Sequence, residues 1–110
     1  MADEDERSLR ERRTEMDAPE AEDPTSEKLR RTLRAFESQL DQQEHLYAMY
    51  FAGVERAAPI QRRQQLELLA TQINNTPKPT AGLRFQVSVV MSRYESYREK
   101  WDKQMKALER

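Results

Sequence analysis

A chain of 110 residues has room for one domain, and 35% charged residues with only two glycines point to helices with wet outer faces. With no cysteine, neither a disulfide framework nor a thiolate metal site is open to it. The net charge of −1 hides an asymmetry: residues 1–25 carry ten acidic and four basic side chains, a net of −6, and residues 26–110 carry ten acidic and fifteen basic, a net of +5.

The chain begins MADEDERSLR, acidic where a signal peptide is basic and then apolar. Its longest uncharged apolar run, LYAMYFAGV at 46–54, is nine residues, far short of the roughly 20 that span a bilayer. The expectation is a soluble, cytoplasmic protein with no membrane segment. Residues 1–22 hold only Met1, Leu9 and Met16 as large apolar groups, too few to offset the entropy of ordering, so they read as a disordered acidic tail. The tail either solubilises the chain, folds back over a basic surface or engages a partner.

Residues 23–110 read as a helical bundle. Asp23 is placed to cap a helix and Pro24 to open it. Leu29, Leu33, Phe36, Leu40, Gln43, Tyr47, Tyr50 and Val54 follow at steps of four and three, the seam of a heptad repeat broken only by Gln43. Leu46, Met49 and Phe51 widen the second half of that face. The first helix is predicted over 24–56, stopped by the approach to Pro59.

Pro59 opens a second helix, 59–74, with Ile60, Leu66, Leu69 and Ile73 on its apolar side and NNTPKPT as its breaker. A third helix, 80–109, carries Leu83, Val87, Val90, Tyr94, Tyr97, Trp101, Gln104 and Leu108 at the same alternating steps. Phe85 and Val89 add a second strip to its first turns, until Ser92 and Ser96 take over.

Helices one and three are each about 45 Å long and the second about 24 Å. In an up-down-up arrangement the short helix is expected to cover the wide halves, the end of the first helix and the start of the third. The narrow halves are then left projecting from opposite ends with bare seams: Leu29, Leu33, Phe36 and Leu40 at one, Tyr97, Trp101, Met105 and Leu108 at the other. Such a patch reaches several hundred Å², about the limit for a soluble monomer. Three readings stay open for the aromatics: the chain's own core, an anchor for a protein partner, or a stacking platform for nucleic acid. Arg30, Arg31, Arg34, Arg93, Arg98, Lys100, Lys103 and Lys106 suit the third, but Glu95, Glu99 and Asp102 interleave with them as on a solvated face.

Catalytic parts are scarce. The single histidine, His45, and the lack of cysteine leave no triad and no zinc site, and isolated Gly53 and Gly82 make no phosphate loop. No catalytic residue, cofactor or metal is predicted. Gln43 and Gln104, alone in their seams, either fix register or reach water at a bundle edge.

The segments YFAGVERAAP and RFQVSVVMSRYESYREKW, through Phe51, Gly53, Pro59, Phe85, Tyr97 and Trp101, resemble small helical modules of uncharacterised deltaproteobacterial proteins, myxobacterial ones among them. The resemblance covers about Tyr50 to Trp101 and implies packing, with no catalytic motif or ligand; adaptors of bacterial signalling or polarity complexes are the association it brings. The sequence thus predicts an all-α, elongated three-helix coiled-coil-like bundle, long–short–long, behind an acidic tail. Its expected role is a non-enzymatic adaptor assembling through the two seams, as a self-dimer or with a different chain. The alternative is a small nucleic-acid-binding protein whose acidic tail is autoinhibitory.

Overall fold

A computed structural model of the chain describes residues 23–109. Three helices follow in order: α1 (Pro24–Phe51, 28 residues), α2 (Ile60–Asn75, 16 residues) and α3 (Ala81–Leu108, 28 residues). The protein is an all-α, long–short–long bundle, and no strand occurs among the described residues. The acidic tail read at residues 1–22 lies outside the described residues.

Local chemistry sets the helix ends. Asp23 is extended and its Oδ1 accepts from the Ser26 amide at 2.7 Å, with Pro24 at the first helical position, where a missing N–H costs nothing. The far end of α1 comes at Phe51, not at the predicted 56. Gly53, with φ at +80°, reverses the chain there. The Val54 amide returns to the Met49 carbonyl at 2.9 Å and the Gly53 amide to that of Tyr50 at 3.1 Å. These two bonds close a Schellman motif, which needs the left-handed conformation that glycine adopts without penalty. Pro59 therefore does not terminate α1, and it caps α2 instead of opening it. At the start of α3, Thr80 Oγ1 accepts from the Leu83 amide at 3.1 Å.

The residues spaced four and three apart form the core. Leu29, Leu33, Phe36, Leu40 and Tyr47 of α1 are buried with Leu66, Ala70 and Ile73 of α2 and Leu83, Val87, Val90, Tyr94 and Trp101 of α3. Gln43, the interruption of the first seam, is 2% exposed. Its Nε2 donates to the Pro59 carbonyl at 2.9 Å, so it ties the α1–α2 connection to the bundle and neither reaches water nor needs a second chain. Gln104 does reach solvent.

The axial stagger of the helices differs from the expected one. Residues 52–59 turn back along α1, so α2 starts beside Gln42, Gln43 and Tyr47. It ends beside Pro24, Lys28 and Leu29, where Thr71, Gln72 and Asn75 face them across a groove. The short helix thus covers the narrow first half of α1, not its wide second half. In turn α3 runs parallel to α1, with Arg30 against Gln86, Phe36 against Tyr94 and Tyr47 against Trp101. Two helices of equal length in this register leave no projecting ends of opposite sense. Only the last turns of α1 and α3 pass beyond α2, and both do so at the same end.

Candidate protein interaction surface

The seam residues expected to await a partner are largely occupied within the chain. Leu29, Leu33, Phe36 and Leu40 are 4% exposed or less, because α2 and α3 both lie over them. Trp101 is 0% exposed, Tyr97 and Met105 are half-buried, and only Leu108, at 57%, faces solvent. The bare seams predicted from helix length are therefore corrected to a closed core with one frayed apolar end.

The aromatics assemble into a ladder. The Tyr97 and Trp101 rings stack with centroids 5.8 Å apart, Trp101 stacks on Tyr47 at 4.8 Å, and Tyr47 on Phe51 at 5.5 Å. Trp101 Nε1 donates to Glu44 Oε2 at 2.6 Å, and the other oxygen of Glu44 pairs with Lys100. Arg63 of α2 lies 5.8 Å from the Tyr47 ring centre and 5.7 Å from that of Trp101, within range of a cation–π attraction. It also donates to the Tyr47 hydroxyl at 3.2 Å and to Asp102 at 2.6 Å. Burial works against the Arg63 charge, but these hydrogen bonds outweigh it and push its pKa up. On the outer side Arg93 and Lys100 bracket the Tyr97 ring at 5.6 and 5.2 Å. A stacking platform for bases needs open ring faces and spare cations. Here Trp101 is fully buried against Tyr47 and Tyr97, Arg93 is paired with Asp41 and Lys100 with Glu44.

Besides the exposed Val54, Ile60, Leu68 and Leu108, a pair of exposed apolar side chains lies at the other end of α3. Phe85 is 71% exposed and Val89, one turn on, 52%. They border a groove of about 340 Å³ between α1 and α3, whose other walls are Arg30, Leu33, Arg34, Glu37, Gln86 and Val90. Arg30 and Arg34, one turn apart on α1, form its charged edge, and Arg30 Nη1 donates to Gln86 Oε1 at 2.7 Å. Farther along, the Asp41–Arg93 and Glu44–Lys100 pairs bridge the same two helices and close the groove. The apolar strip at Phe85 and Val89 was legible as helical spacing, but its exposure was not, because it depends on where α1 stands.

A larger groove, about 660 Å³, lies between the start of α1 and the end of α2, with Leu29 and Thr25, Thr32, Thr71 and Thr76 in its walls. Among the described residues no group of three or more His, Asp or Glu side chains is placed to hold a metal ion, and no helix is long and apolar enough to cross a membrane. Comparison with family models, with curated proteins and with solved structures gives no match to this chain.

Proposed function

We propose that the chain is a non-enzymatic interaction module that binds another protein through the α1–α3 groove. Phe85 and Val89 supply the apolar contacts, and Arg30 and Arg34 the charged edge. The observation that supports this is the exposure of Phe85, 71% on the side of α3 turned away from the core, next to a half-exposed Val89. An aromatic ring brings much contact area at little entropic cost, and arginine beside it is a common interface companion. A different chain suits the groove better than a second copy. Two exposed apolar side chains fall well below the roughly 800 Å² per partner of a stable complex between folded proteins, whereas a short peptide segment needs less.

The non-enzymatic reading rests on the residue inventory: one histidine, exposed His45, and no cysteine to act as nucleophile. Nucleic-acid binding has less support, since the cations nearest the aromatics are engaged by carboxylates.

Selection of displayed peptides against the full chain, with a Phe85→Ser chain as counter-selection, tests the reading. The expected result is a recurring acidic and apolar pattern whose binding is lost on Phe85→Ser while the melting temperature is unchanged. Failure to enrich any peptide, or binders indifferent to Phe85→Ser, would contradict it.

A further inference from the structure

The α1–α3 groove has a nearer claimant than any separate protein. We infer that it is the seat of the chain's own N-terminal segment, residues 1–22, which a partner must displace. This inference rests on the groove being a binding surface, and it concerns how that surface is regulated.

Position comes first. Asp23 caps α1, so residue 22 joins the helix at the end nearer the groove, whose lining on α1 begins at Arg30. Arg30 and Arg34 lie two to three turns along from that cap, roughly 10–17 Å. An extended run of this length reaches roughly 70 Å, so the groove is well within its span.

Charge is the second support. Residues 1–22 carry nine acidic and four basic side chains, a net of −5. The groove edge presents Arg30 and Arg34, with exposed Arg31 next to Arg30 on the same helix. Only Glu37 opposes them inside the groove. Arg34 forms no ion pair with any described residue.

Apolar content and tethering complete the case. Leu9 and Met16 are the large apolar side chains in the middle of the segment, and Phe85 and Val89 are the exposed apolar side chains of the groove. The area they can bury is too small to hold two folded copies together without a tether. A short tether raises the effective concentration to about the millimolar range, where so weak a contact is populated.

The chain has no cysteine, so Thr14→Cys gives a single site for a nitroxide on the full-length protein. The expected result is loss of amide signal confined to residues 30–37 and 85–90, restored by Arg34→Glu or by high salt, which screens exposed charge. Three results would overturn the inference: no loss, loss spread over α2 as well, or loss only in a mixture of spin-labelled and isotope-labelled chains, which assigns the groove to a second copy. The two readings fail separately. Peptides that need Phe85, with no signal loss in the groove, leave the binding surface standing without its tail. Signal loss in the groove with no peptide selected makes it an internal seat and removes the proposed partner binding.

Discussion

Trp101 is the residue on which the aromatic end of the bundle turns. It stacks on two tyrosines, donates to Glu44 and lies beneath Arg63. Trp101→Ala leaves a cavity among these groups, and truncations of this kind cost about 3–5 kcal/mol. In a domain whose whole stability is of order 5–15 kcal/mol, that brings the chain close to unfolding at ambient temperature; urea denaturation of the two proteins measures it. A loss below about 1 kcal/mol would mean the ladder is loose. Tyr94 makes a pH-dependent contribution. Burial disfavours its phenolate and raises its pKa above the ordinary value of 10.0. The folded chain thus holds that proton more tightly than the unfolded chain does. The stabilisation is complete below pH 10 and is lost as pH rises through the raised value. Tyr94→Phe removes this dependence, so the fall in melting temperature on the alkaline side should be shallower in the variant. Equal slopes would contradict the assignment.

At the scale of elements the two glycines should respond in opposite directions. A Cβ at either meets nothing within 4 Å, so only the backbone differs. Gly53→Ala forces a left-handed conformation on a residue with a side chain and should cost about 1 kcal/mol. Gly82 lies in the first turn of α3, where alanine is the better helix former, and Gly82→Ala should stabilise by about 0.5 kcal/mol. Thermal melts of both variants check the signs. The same elements show what was legible in the sequence. Helical spacing names most core side chains of α1 and α3, because periodicity is a property of a single helix. In α2 it names Leu66 and Ile73 but also exposed Ile60, and at the end of α1 it includes exposed Val54. It says nothing about how far one helix slides along another. That offset is set by Gly53, which ends α1 early, and by the returning connection that Gln43 holds at Pro59. Reading Pro59 as the stop hid both, and with them the fact that α2 lies over Leu29 to Leu40.

For the whole molecule, the stagger decides which apolar surface is spent internally and which remains. Parallel α1 and α3, bridged by Phe36–Tyr94 and Tyr47–Trp101, use up the seams that looked available for assembly. Phe85 and Val89 are left outside because α1 stands to one side of them, and that residue pair carries the proposed function. Residues 1–22 and the groove edge have opposite charge, and on that basis the one is proposed to compete for the other. Light scattering from the purified full-length chain over a tenfold range of concentration tests most directly whether the seams close within one chain. The account requires the mass of a single chain throughout the range. A stable dimer, or a mass that rises with concentration, would mean that the seams or the Phe85 strip are completed by a second copy, and would contradict it.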